Sequence, residues 1–150
     1  MKKYVVDTCL INKLLDGAVG SDELPKDGSF VATHIQFDEL SKTKNIKRKT
    51  KLLEKFTEII DEVLPTESFI LDTSMLGEGR LGDGIAYQEI KRKLDARNND
   101  KATNHKDALI AEVAMKNGFI LLTTDWDLYQ VVYQEGIGVI YWTTTSTNKW

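Results

Sequence analysis

Cysteine and proline are nearly absent from this chain, and no apolar run is long enough to cross a bilayer. The single cysteine, Cys9, excludes a disulfide framework, so a reducing compartment and a cytoplasmic location are expected. With only two prolines and no low-complexity stretch, a proline-rich linker is excluded. No repeat of fixed period occurs, which argues against a solenoid. The first residues, Met1-Lys2-Lys3, run straight into a strand-like segment, so neither secretion nor membrane anchoring is expected. The formal net charge of −3 argues against a simple basic nucleic-acid binder. That average hides a local excess, because Lys42, Lys44, Lys47, Arg48, Lys49 and Lys51 crowd one short segment.

What is present is ordinary for a folded protein. Apolar residues make up 41% and charged residues 29% of 150 positions, enough for one domain, 1–150, with a single core. Residues 3–6 and 119–124 are apolar and rich in β-branched side chains, which predicts buried strands. Shorter strands are expected at 30–33, 68–71 and 138–142. Helices are expected at 8–16 with Thr8 as N-cap, from 35 onward, at 85–97, at 106–116 with Gly118 as its stop, and at 126–134. Leu52, Leu53, Phe56, Ile59, Ile60 and Val63 form a helical stripe that predicts a further helix over 47–63, stopped by Pro65. Alternating strands and helices imply an α/β sandwich with a mostly parallel sheet.

Four acids stand at the edges of these elements. Asp7 and Asp125 each follow a predicted buried strand, Glu39 lies beside apolar Phe37 and Leu40, and Asp107 begins the apolar face of its helix. In an open parallel sheet the ligand crevice lies outside the carboxyl ends of the strands, so Asp7 and Asp125 point toward one place. Carboxylates brought together repel unless a cation or a shared proton relieves them. Hard oxygen donors of this kind suit Mg²⁺ or Mn²⁺. Any one of the four could be a helix cap or a solvated charge, and Asp7 or Asp125 alone reads equally well that way; their ordered convergence does not.

The segments Tyr4-Val5-Val6-Asp7-Thr8, Phe37-Asp38-Glu39-Leu40, Lys106-Asp107-Ala108-Leu109-Ile110-Ala111 and Leu122-Thr123-Thr124-Asp125-Trp126-Asp127 resemble the PIN-domain nucleases. The resemblance is greatest to compact VapC-type toxins, and it spans nearly the whole chain in order. It implies a PIN-like three-layer sandwich and a metal-binding quartet of Asp7, Glu39, Asp107 and Asp125. It also implies Asp127 as a further acid, with Thr8 and Thr123 as hydroxyls supporting the first and last acids. The implied activity is metal-dependent hydrolysis of RNA, leaving a 5′-phosphate and a 3′-hydroxyl. An antitoxin protein and a second copy of the chain are the implied partners. The chain departs from those toxins in its polar insert before Asp107, in a glycine-rich loop after Leu71, and in having Glu112 and Trp126.

Several other features have plainer readings. Gly77-Glu78-Gly79-Arg80-Leu81-Gly82 matches G-x-G-x-x-G but does not directly follow a strand, so it reads as a loop. The run at 42–51 is either a solvated helix face or a phosphate track, with Lys47, Arg48 and Lys51 its best RNA-binding candidates. His34 and His105 stand at no metal-ligand spacing from another donor and read as structural or surface residues. Cys9 reads as a small buried residue, and Trp126 as either rim packing or a base-stacking ring. Asp125-Trp126-Asp127 also suggests a haloacid-dehalogenase-like phosphatase, but that fold places Asp-x-Asp after its first strand, where this chain has Cys9. A receiver module lacks its middle-strand Asp here. A catalytically silent PIN-like scaffold that binds RNA or protein stays open.

Overall fold

A computed structural model describes residues 2–66 and 85–142 of the chain. Five strands form one sheet in the order β3-β2-β1-β4-β5, and every pairing is parallel. The strands are β1 (Lys2–Val6), β2 (Gly28–Thr33), β3 (Glu62–Leu64), β4 (Ile120–Thr123) and β5 (Val139–Tyr141). The helices are α1 (Thr8–Leu15), α2 (His34–Ser41), α3 (Ile46–Ile59), α4 (Ile85–Asn98), α5 (Asn104–Asn117) and α6 (Trp126–Gln134). The chain winds outward from β1 through β2 to β3, then returns to β4 on the other side of β1. The strand order therefore reverses between β1 and β4.

Alternation along the strands builds two cores. Tyr4, Val6, Ala32 and Leu122 face one side, where Leu10, Ile11, Leu40, Leu52 and Phe56 of the first three helices cover them. Val5, Val31 and Leu121 face the other, against Ile90, Leu94, Leu109, Ile110, Leu128 and Val131. This is a three-layer α/β sandwich, as a buried parallel sheet requires. Among the described residues, no helix is long and apolar enough to cross a membrane.

Most predicted elements are present; two readings need correction. The helix over 47–63 ends at Ile59, and Val63 belongs to β3. Ile60 turns extended, at φ −83° and ψ 123°, well before Pro65. Asp61 then clasps β2: its amide donates to the Phe30 carbonyl at 2.8 Å, and its carboxylate accepts from the Phe30 amide at 2.8 Å. The N-cap of α1 is Asp7, not Thr8. The expected mostly parallel sheet is present, and every strand pairing among the described residues is parallel. The expected strand at 68–71 and the glycine-rich loop with Arg80 lie outside the described residues. Gly118 ends α5 in the left-handed region at φ 68°, as its position suggested.

One glycine is required by close approach. A Cβ on Gly28 would stand 2.2 Å from the Lys2 carbonyl oxygen, inside the β1–β2 ladder. Gly28→Ala should therefore force the strands apart and lower stability by about 1–3 kcal/mol, the usual effect of overpacking. Chemical denaturation of the variant and parent checks this; an unchanged midpoint would contradict it.

Candidate metal centre

The strand reversal between β1 and β4 brings two acids side by side. Val6 is in register with Leu122, and the Asp7 amide donates to the Leu122 carbonyl at 3.0 Å. Asp7 follows β1 and is only 4% exposed. Its Oδ2 accepts from the Thr123 hydroxyl at 2.7 Å and from the Cys9 thiol at 3.1 Å. The same Thr123 oxygen accepts the Asp125 amide at 3.0 Å. One buried hydroxyl thus ties the first acid to the backbone of the last.

Asp125 caps α6. Its Oδ1 accepts from the amides of Asp127 at 2.9 Å and Leu128 at 3.2 Å, while its Oδ2 lies 3.6 Å from Lys101 Nζ. Such a cap satisfies amides that the first helical turn leaves unpaired, and it also fixes the carboxylate's direction.

Glu39 reaches the same crevice from α2. That helix starts with a capping box, in which Thr33 accepts the Ile35 amide and Gln36 accepts the Thr33 amide. Gln36, fully buried, also donates to the Val6 carbonyl at 3.0 Å, which pins α2 to the end of β1. Glu39 stands one turn further on. Its Oε1 accepts from Thr8 Oγ1 at 3.0 Å. Thr8 therefore supports Glu39, whereas Thr123 serves the first and last acids together.

Asp107 arrives from the first turn of α5. That turn is held by Asn104, 1% exposed, which donates to Asp95 at 2.8 Å and to Asn98 at 2.7 Å on α4. The connection before it passes through Asn99 and Asp100, both left-handed at φ 55° and 58°. This strained turn, unusual without glycine, places Lys101 against Asp125.

The electrostatics show which acids share a field. Burial, then the charges of Asp7, Asp125 and Glu39, push the Asp107 carboxyl up to about 8, with Lys101 opposing. Burial also raises Asp7, against the lowering effect of its Cys9 and Thr123 hydrogen bonds. Glu39 is raised by burial and by Asp7, while Thr8, Lys106 and Lys42 pull it down. Burial and the Asp7 charge push the Cys9 thiol upward, so it stays a neutral S–H donor. The four predicted acids therefore act on one another.

Asp127 is not part of that group: its Oδ1 pairs with Arg97 Nε at 3.3 Å. Arg48 is also withdrawn from the predicted phosphate track. Its guanidinium grips Asp16 at 2.7 and 3.1 Å and Asn12 at 3.0 Å, joining α3 to α1. Lys47 and Lys51 remain exposed on α3. Sequence reasoning missed Gln36, Asn104 and the thiol bond to Asp7. Their signals are a polar side chain at a capping-box position, a polar residue at a helix start, and a Cys two residues past an acid.

Among the described residues, no three His, Cys, Asp or Glu side chains close into a preformed cation cage. Mg²⁺ does not require one, because it keeps several waters and commonly takes only one or two carboxylates. All-oxygen donors, mutual repulsion, and a carboxyl raised to about 8 mark a site that a divalent cation would relieve. The donor set fits the cation.

No protein-family model matches the chain, and no curated protein matches it. Solved structures do. The chain is similar to a domain of a functionally unknown protein from Methanocaldococcus jannaschii DSM 2661, at 23% identity and TM-score 0.53, over 100% of this chain and 97% of that one. It is similar to VapBC2 from Rickettsia felis, solved bound to a DNA fragment from its promoter, at 15% identity and TM-score 0.54, over 94% and 99%. VapBC-5 from Mycobacterium tuberculosis, a member of the VapBC family of toxin–antitoxin systems, matches at 14% identity and TM-score 0.52, over 95% and 100%. At these identities the likeness is one of fold, and the fold is the expected PIN-like three-layer sandwich.

A pH signature follows from the crowded acids. Asp107 titrates at 3.8 in the unfolded reference and at about 8 in the fold, so the native state holds more protons between those values. Its contribution to stability is full below pH 3.8 and is lost as pH rises through about 8. Asp7 and Glu39, both raised, act in the same direction. In metal-free buffer Asp107→Asn should therefore lose less stability than the parent between these limits. Melting curves across pH check this, and equal slopes for both proteins would contradict it.

Proposed function

We propose that the chain is a divalent-metal-dependent endoribonuclease that hydrolyses RNA phosphodiester bonds, acting as the toxin of a type II toxin–antitoxin pair. The observation that carries this reading is the mutual influence of Asp107, Asp7, Asp125 and Glu39 at the strand-order reversal of a parallel sheet. That is where open α/β folds bind their ligands. Mg²⁺ or Mn²⁺ held by these acids would supply an activated water and a polarised phosphate oxygen.

The chain's own residues do the positioning. Thr123 and Cys9 lock one oxygen of Asp7, the α6 amides lock one oxygen of Asp125, and Thr8 locks one of Glu39. Asp107 carries the charge conflict that cation binding resolves. Four carboxylates alone would repel a phosphate; the cation reverses the local sign. Lys42, Lys101 and Lys106, which lie within electrostatic reach of the acids, would guide the backbone. Exposed Lys47 and Lys51 would extend that track along α3.

Single-stranded or looped RNA suits an open crevice because its backbone can splay into it. The toxin role draws on the likeness of fold to VapBC structures. It predicts a small antitoxin protein, encoded beside this chain, that co-purifies with it and blocks cleavage.

Labelled single-stranded, hairpin and transfer RNAs incubated with Mn²⁺ test the activity. Cleavage should stop in EDTA and fall at least ~100-fold in Asp107→Asn, while Thr123→Val should lose about 10- to 100-fold, as is usual for groups that orient a metal's ligands. Full cleavage in EDTA would overturn the proposal. A second reading, a catalytically silent scaffold, is favoured by the absence of a closed three-residue cage among the described residues. It gains if metal-loaded protein binds every RNA and cuts none.

For the lysines, Lys101→Ala combined with Lys106→Ala should weaken binding equally for all sequences and flatten its salt dependence. The expected change is about one unit of log–log slope for each phosphate no longer neutralised. An unchanged slope would remove these lysines from the RNA path.

A further inference from the structure

Helix α6 has an outer face that a surface helix does not ordinarily carry. Its inner stripe, Leu128, Val131 and Val132, is fully buried against the sheet. Its outer stripe should be polar or charged. Instead Trp126, Tyr129 and Tyr133 follow one another at helical spacing, with Trp126 52% and Tyr133 65% exposed. Tyr141, on the edge strand β5, joins them. The ring centroids of Trp126 and Tyr129 are 5.5 Å apart, those of Trp126 and Tyr141 5.1 Å, and those of Tyr129 and Tyr133 5.9 Å. The result is a continuous aromatic strip on the surface.

The strip begins at the end of α6 that Asp125 caps. Trp126 directly follows Asp125 in the chain and is the first residue of α6. Lys101, 3.6 Å from Asp125, and Arg97, 3.3 Å from Asp127, are paired with acids there, so the rings rather than free cations are what this end of α6 offers a ligand. A strand of nucleic acid running from the acids along α6 thus meets exposed rings for its bases. Every base has a π-face, whereas a duplex keeps its bases stacked inside.

We propose that Trp126, Tyr129 and Tyr133 form a stacking platform that holds the unpaired bases of a single-stranded RNA beside the scissile position. The platform deepens the nuclease reading and rests on it for the identity of the ligand. It makes the enzyme selective for unpaired RNA with only weak sequence preference, purines binding more tightly than pyrimidines because they stack better.

The test is binding of fluorescently labelled short oligoadenylate, oligouridylate and a matched RNA duplex, in Ca²⁺ to hold the site charged with slow turnover. Trp126→Ala should weaken single-strand binding about 5- to 150-fold, the range for losing one base–aromatic stack, with the salt slope unchanged. Tyr133→Ala, at the most exposed ring, should weaken it less, and Trp126→Phe should restore most of the loss. Duplex binding should not change.

Equal affinity of all variants for single strands would overturn the platform. So would a loss of affinity that coincides with dissociation of a dimer in sedimentation, since the strip would then be an interface between copies. The two proposals fail separately. Ring-dependent binding without cleavage by the unsubstituted protein would sink the nuclease and leave the platform. Metal-dependent cleavage with KM unchanged in Trp126→Ala would do the reverse.

Discussion

Parallel pairing of β1 with β4, from Tyr4 opposite Ile120 to Val6 opposite Leu122, sets two acid-bearing strand ends next to each other. The geometry at the crevice follows from that pairing. Because both strands run the same way, both chains leave the sheet at the same edge, and Asp7 and Asp125 leave with them. Thr123 converts adjacency into a fixed arrangement by donating to one acid and accepting from the backbone of the other. Without a hydrogen-bonded network, buried carboxylates this close would relax apart or stay protonated.

The other two acids are delivered by helices whose ends are fixed to the same frame. Gln36 ties the start of α2 to the last carbonyl of β1, so Glu39 cannot swing away from the crevice. Asn104 does the equivalent work at the start of α5, bonding to Asp95 and Asn98 of α4. Asp7 and Glu39 are thus held by hydroxyl and thiol groups, and Asp125 by backbone amides together with Lys101. That choice has a consequence: the negative field is left largely uncancelled, and with burial it raises Asp107, Asp7 and Glu39 together. A largely neutral scaffold around Asp7 and Glu39, with Lys101 the one lysine paired with a quartet acid among the described residues, leaves the site in need of a cation. The salt bridges Arg48–Asp16 and Arg97–Asp127 engage acids outside the quartet, while Lys101 pairs with Asp125 within it.

Much of this was legible in the sequence, for identifiable reasons. The β-branched runs at 3–6 and 119–124 have no competing helical pattern, so their strands and the acids that follow were readable. Residues 59–63 were not, because Ile59, Ile60 and Val63 continue the stripe of α3 as well as they begin a strand. The decision fell to a distant partner, the reciprocal clasp of Asp61 and Phe30, which no local pattern encodes. The acid quartet was readable by order and spacing. Its supports were not, since Thr8 turns to Glu39 only because of how α1 and α2 pack, and Arg48 turns inward only because Asp16 waits on α1. The aromatic face of α6 was visible as Trp126 alone; Tyr141 joins it through the fold.

Calorimetric titration with Mn²⁺, repeated in buffers of different ionisation enthalpy, tests the central claim that four mutually repelling acids hold a divalent cation. Near pH 7 the Asp107 carboxyl, raised to about 8, is mostly protonated in the metal-free protein. A cation binding there must displace that proton, because ligands have to be deprotonated. The account predicts one or two bound Mn²⁺ with release of roughly one proton, and loss of that release in Asp107→Asn. Binding that releases no proton, or that is the same in both proteins, would contradict it.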